Sequence, residues 1–221
     1  MFDYRTISDP RDLATYYLAT AEFPSGFMTQ YGSSITIGDV THQDRARGFP
    51  IGKRFKSVEV VRVSDGNVVH LGHHAKADGR WRIYAFADAS TGGGASALDA
   101  WASWMDSSES PIARYTPSGA DMDAVFDVKV IYPQPFEEIE FARVPALFTP
   151  KTGPFELIDW EKVFASGPSA WTTADIFAER EISSEGVVVV VRPDQYVAAV
   201  VPLQATRELD TFFEGVLLPP G

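Results

Sequence analysis

His73 and His74, followed by Asp78, are the side chains of this sequence best suited to moving a proton. A neutral imidazole held near a carboxylate can serve as general base in an enolisation or a cyclisation. The pair stands at the end of a predicted strand, where neighbouring side chains point to opposite faces, so only one of them can line a given cleft. The plainer reading is two hydrogen-bonding histidines at a strand end. A second candidate is the cluster Arg45, Arg47, Lys53 and Arg54. Guanidinium forks match planar anions, so Arg45, Arg47 and Arg54 are candidates to bind a carboxylate or phenolate. The plainer reading has these cations meeting acidic residues of a neighbouring domain or subunit, or solvent. Asp159, Glu161 and Lys162 read as the solvated start of a helix, with acids near the positive end of its dipole. Paired-carboxylate catalysis finds no support.

Several chemistries are excluded by composition. The chain has no cysteine, which removes disulfides, thiolate nucleophiles, cysteine metal sites and dithiol redox exchange. Its histidines, His42, His70, His73 and His74, fit no zinc spacing such as His-Glu-x-x-His, and no metal is expected. The net charge of −11 repels a phosphate backbone and an anionic membrane surface, so neither nucleic acid nor membrane is an expected partner. That charge is uneven: residues 42–82 carry nine cations against four acids, a local +5. No apolar run approaches the ~18 residues of a spanning helix, and the opening residues lack the core of a signal peptide. A cytoplasmic location is the default expectation.

The elements that must position these groups follow from periodicity. With 221 residues, 45% hydrophobic and 13% aromatic, the chain can build one core with an arm. Residues 1–50 read as that arm, with a short helix at 12–21 and a Gly, Ser and Thr-rich stretch at 25–39, packed on a domain of residues 51–221. Strands are predicted at 58–63 and 68–71 around Asp65-Gly66, a hairpin signal because glycine supplies positive φ cheaply. Residues 80–86 alternate as another strand. After a flexible Thr91-Gly-Gly-Gly turn, Ser96 caps a helix whose Leu98, Trp101, Ala102 and Met105 share one face.

Residues 125–132 form a further strand, ended by Pro133. Pro145, Pro150, Pro154 and Pro168 leave room only for short helices, predicted at 159–165 and 172–179. The valine run 186–192 reads as a central strand covered on both faces, and 196–201 as its neighbour. Leu209, Phe212, Phe213, Val216 and Leu217 place a last helix. Trp101, Trp104, Phe212 and Phe213 fit core or subunit contacts better than a cofactor box. The class is α/β: a βαβ half and a ββα half around a mixed central sheet, the thioredoxin-like arrangement, with an irregular N-terminal arm and a helical insertion.

Four stretches resemble the C-terminal domain of the FAD-dependent aromatic hydroxylase family that includes phenol 2-monooxygenase and 3-hydroxybenzoate 4-hydroxylase. They are Gly48-Phe-Pro-Ile-Gly-Lys-Arg54, Leu71-Gly-His-His-Ala-Lys-Ala-Asp-Gly-Arg-Trp-Arg-Ile-Tyr-Ala-Phe86, Gly153-Pro-Phe-Glu-Leu-Ile-Asp-Trp-Glu-Lys-Val-Phe164 and Val191-Arg-Pro-Asp-Gln-Tyr-Val197. The resemblance implies a thioredoxin-like domain without the redox dithiol, which packs on flavin and substrate domains and contributes to a dimer. In that family the flavin is held by a Gly-x-Gly-x-x-Gly turn and a later Asp-rich motif. Neither occurs here, so no cofactor is expected.

Two functions follow as expectations. The first is a stand-alone, non-redox module that forms a homodimer or docks onto a flavin-hydroxylase partner chain. The second is a cofactor-independent enzyme of aromatic or polyketide biosynthesis, of cyclase, isomerase or dehydratase type, taking a small aromatic ligand and using His73 or His74 as acid and base.

Overall fold

In the computed structural model the described residues are 16, 20–23, 25–89, 96–166 and 172–220. Most of the helix predicted at 12–21, and the whole glycine turn at 91–94, lie outside them. The predicted hairpin is present: β1 (Glu59–Arg62) pairs antiparallel with β2 (Val68–His70), Glu59 opposite His70 and Val61 opposite Val68. Gly66 takes φ 68° in the turn, and the Asp65 carboxylate accepts hydrogen bonds from the Asn67 amide at 3.1 Å and side chain at 2.7 Å.

The βαβ half consists of β3 (Trp81–Phe86), α1 (Ala97–Met105) and β4 (Phe126–Tyr132), with β3 and β4 parallel from Trp81 opposite Phe126 to Phe86 opposite Ile131. A short α2 (Pro111–Tyr115) follows α1, started by the Ser110 hydroxyl accepting from the Ala113 amide and by Pro111 in the first turn, where its missing N–H costs nothing. Next come a separate two-stranded hairpin, β5 (Lys151–Thr152) and β6 (Leu157–Ile158), then β7 (Val163–Ala165) and α3 (Ile176–Glu179). The ββα half closes the chain with β8 (Val187–Val191), β9 (Val197–Val201) and α4 (Thr206–Val216). The seven-stranded sheet runs β2-β1-β7-β4-β3-β8-β9. Its centre, β7-β4-β3, is parallel, and its flanks are antiparallel. The fold is thioredoxin-like.

Alternation along these strands sorts their side chains between two cores. Trp81, Ile83 and Ala85 of β3 and Val188 and Val190 of β8 join Leu98, Trp101 and Met105 of α1 and Leu209 and Phe213 of α4. Tyr84 and Phe86 of β3 and Val187, Val189 and Val191 of β8 enter the opposite core with Ile37, Phe49, Ile51, Phe55 and Ile176. The all-valine strand is therefore apolar at every position because both of its faces are covered. Residues 37–58 form much of that second cover. Phe49 stacks on Phe55 with ring centroids 4.6 Å apart, and Phe55 on Tyr84 at 4.7 Å. The same segment lies along the β9 edge, where Gly52 donates to Val197 O at 2.9 Å and Val197 donates to Lys53 O at 2.8 Å. The edge is thereby shielded from stray strand pairing.

Several local expectations are corrected. Residues 159–165 form no helix: 163–165 are β7, which places Val163 in one core and Phe164 in the other. Lys162, read as part of a solvated helix start, is only 2% exposed. Prolines 150 and 154 flank and shape the β5–β6 hairpin; they do not mark helix breaks. The helix predicted at 172–179 shortens to α3, because the Asp175 carboxylate accepts from the Phe177 and Ala178 amides and fixes the first turn there. His73 and His74 lie in a 3-10 turn, Leu71–His74, that follows β2, so strand alternation does not govern where they point.

Candidate functional site

The end of β3 and the start of α1 form a strand-to-helix junction, where the unpaired amides of the helix N-terminus favour an anionic acceptor. Here a carboxylate occupies it. Asp88 accepts from the Ser96 hydroxyl at 2.7 Å and from the Leu98 and Ala97 amides at 3.0 and 3.3 Å, and Ser96 Oγ accepts from the same Leu98 amide at 3.1 Å. An open cleft of about 650 Å³ adjoins the junction, bordered by Asp88, Ser96, Asp99, Tyr132, Glu138 and Arg143. Burial, and secondarily the Asp99 charge, pushes the Tyr132 phenol above its ordinary range. The recess thus offers acceptors and a protonated phenol, with no sulfur nucleophile. Replacing Asp88 by alanine is expected to lower stability by about 1–2 kcal/mol, read as a shift of the thermal denaturation midpoint.

The structure separates the candidate proton-transfer residues. His73 is exposed, its ring 5.1 Å from that of His70. His74 is half-buried, edge-on to Phe164 at 5.3 Å, and burial, then the nearby Lys129 charge, holds its pKa below the usual imidazole value. Asp78 engages two guanidinium groups, Arg80 at 2.9 Å and Arg82 at 2.8 Å. Burial alone would raise its pKa, but the Arg82 and Arg80 hydrogen bonds bring it down to about 2. Among the described residues no hydrogen bond joins either imidazole to Asp78.

The basic candidates are also dispersed. Arg45 bonds the Glu185 carboxylate and lies 3.3 Å from Ser183 Oγ, and Arg47 reaches Glu181 at 3.5 Å. Arg54 forms a backbone bridge with Tyr196; it and Lys53 have no ion pair among the described residues. Arg45 and Arg47 border one shallow recess with Glu181 and Ser183, and Arg54 does not share it.

An ion cluster within the sheet escaped the sequence reading. Arg82 of β3, Asp127 and Lys129 of β4 and Lys162, just before β7, are all buried. Lys162 Nζ donates to Asp127 at 2.8 Å and to Asp123 at 2.9 Å, and Lys129 Nζ donates to Asp127. Arg82 Nε lies 3.2 Å from Asp127 as an ion pair without hydrogen-bond alignment, while its Nη2 donates to Lys76 O at 2.7 Å. Burial would raise the Asp127 pKa, but Lys129 and Lys162 overcome it and hold the carboxyl well below the usual range. Burial lowers Lys129 to about 8 despite Asp127. The signal was present in the sequence: a cation at 82 in one otherwise apolar strand, and charges of opposite sign at the alternate positions 127 and 129 of another. Among the described residues no group of acids and histidines is arranged to hold a metal ion, and no helix is long and apolar enough to cross a membrane.

Residues 29–221 match the family described as phenol hydroxylase, C-terminal dimerisation domain. The chain is 43% identical over 213 residues to a 3-hydroxybenzoate 4-monooxygenase of Comamonas testosteroni, covering 95% of this chain and 33% of that protein. It is 30% identical over 219 residues to the FAD-dependent monooxygenase terD of Aspergillus terreus, covering 95% of this chain and 35% of that protein. It therefore spans about one third of the length of the curated relatives it matches. Among solved structures, a thiol:disulfide interchange protein from a Bacteroides species overlays with a TM-score of 0.46 at 13% identity, over 76% of this chain and 93% of that one. Since the family match runs from residue 29 through the sheet, the ion cluster and the β5–β6 hairpin, the chain belongs to the phenol hydroxylase C-terminal dimerisation domain family.

Proposed function

We propose that this domain is a non-redox assembly module that joins two copies of an FAD-dependent aromatic hydroxylase, with the flavin chemistry carried by the other two thirds of such a protein. The observation that carries this reading is the match to a dimerisation family combined with a β3–α1 junction capped by Asp88 in a chain without cysteine. A thioredoxin-like sheet that keeps its shape while lacking the dithiol retains surface and rigidity as its useful properties. Docking onto a separate flavin-hydroxylase chain in the cytoplasm is the form this role takes where the domain is made alone.

Sedimentation equilibrium at tens of micromolar is expected to give twice the mass of one chain, and an insulin-reduction assay is expected to show no turnover. A strictly monomeric chain that also fails to bind a flavin-hydroxylase chain would overturn the reading.

A further inference from the structure

The β5–β6 hairpin stands outside the seven-stranded sheet and exposes apolar side chains that an isolated two-stranded hairpin in water does not need. Phe155 is 82% exposed, Leu157 67% and Trp160 48%. Phe155 sits at the tip, in a tight turn closed by the Glu156 amide donating to Gly153 O at 3.0 Å. Glu156 holds φ 48°, a left-handed conformation that glycine adopts without strain and glutamate does not, so its side chain is kept there at a cost. The hairpin is fixed to the body. Gly153 N donates to Asp121 at 2.9 Å, Asp159 N donates to Pro150 O at 2.9 Å, and Trp160 packs edge-on against Phe141 at 5.0 Å.

We infer that this hairpin face is the two-fold contact through which a second copy of the domain pairs with the first. The inference rests on the dimerisation reading above and adds the surface. A two-fold contact must be complementary to itself, and the rim here carries both signs. Lys151 and Glu156 lie 4.0 Å apart, 63% and 78% exposed, and Glu140 and Arg143 form a second exposed pair at 2.7 Å. A two-fold axis through the tip sets the Lys151 of one copy against the Glu156 of the other.

The apolar centre supplies on the order of 400 Å² per copy, at roughly 150–250 Å² for each fully buried aromatic side chain. That is about half of the ~800 Å² that a standard interface takes from each partner, with the polar rim supplying the rest. Of the other exposed apolar side chains, Phe23, Val40 and Leu218 are isolated in sequence, while Met28, Tyr31 and Ile35 lie on the segment that runs into Lys53 and Arg54, two cations without ion pairs among the described residues. Facing such a patch with its own copy sets like charges together.

The test compares the intact chain with Phe155→Glu/Leu157→Glu and with Lys151→Glu, by light scattering and sedimentation over a concentration series, with far-UV circular dichroism as the control for folding. The double variant is expected to weaken the dimer by at least about 30-fold at unchanged circular dichroism. Lys151→Glu is expected to weaken it by a smaller factor, and adding Glu156→Lys to it is expected to restore pairing. A dimer that ignores both the hairpin and the charge changes overturns the surface while leaving dimerisation standing. A monomeric intact chain overturns both.

Discussion

Replacing Asp127 by alanine is expected to remove about 3–5 kcal/mol of folding stability, because breaking a buried ion pair from one side leaves its partners charged and unmatched in the interior. Three cations converge on this carboxylate: Lys162 at 2.8 Å, Lys129, and Arg82 at 3.2 Å. Lys162 keeps Asp123 and Asp159 and Arg82 keeps Asp78, so the loss falls most heavily on Lys129, whose only ion pair among the described residues is with Asp127. Removing Lys129 instead is expected to cost far less. Lys129→Met discards an ammonium group that burial already disfavours and leaves Asp127 two cations, so its change should stay within about 1 kcal/mol. Urea denaturation at pH 7 of the two variants measures the asymmetry; equal losses would show that the cluster is not centred on Asp127.

The same cluster sets the response to acid. Asp127 and Asp78 have folded pKa values below their unfolded ones, so the unfolded chain binds more protons in the acid range and their stabilisation is complete only above the ordinary carboxylate value. It is lost as pH falls through the folded values, which for Asp78 lies at about 2. The urea midpoint of the intact chain is expected to fall steeply between about pH 4 and 2. In the Asp127→Ala variant the fall should be shallower.

What was legible in the sequence follows a physical rule. Elements whose period matches one environment were readable: the Asp65-Gly66 hairpin, the one-sided α1 face at Leu98, Trp101 and Met105, and the valine strand, whose two covered faces need no polar position. Those were enough to give the βαβ and ββα halves and hence the fold. β7 was not readable, because three residues carry no period and Lys162 imitates an exposed helix start. Its burial depends on Asp123 and Asp127, 39 and 35 residues away, a pairing that only the folded sheet creates. The histidine pair was misplaced for a related reason: a 3-10 turn of four residues has no signature against the strand before it. The family likeness needed no element at all, since it rested on stretches of residues such as the one from Leu71 to Phe86, read directly as a string.

Residues 37–58 show the same limit from the side of packing, and Phe49 is where it can be measured. The stretch has little periodicity because it follows the surface of the sheet as irregular chain, yet Ile37, Phe49, Ile51 and Phe55 are buried in the second core. Phe49 is fully enclosed, stacked on Phe55 at 4.6 Å and tilted against Phe86 at 5.8 Å, with the Arg180 guanidinium 5.9 Å from its ring. Its neighbour Gly48 allows no relaxation, since a Cβ there would stand 2.4 Å from the Arg180 Cα. Collapse around a missing ring is therefore restricted, and Phe49→Ala is expected to cost about 3–5 kcal/mol, the upper part of the range for an aromatic removed from a rigid site. If this segment is part of the cooperative core, the variant unfolds in one transition at a lower urea midpoint, and the Gly52 and Val197 amides exchange with solvent only through global unfolding. Two separate transitions, with those amides exchanging ahead of the β3 and β8 amides, would instead make the segment a detachable strap on a sheet that is stable without it.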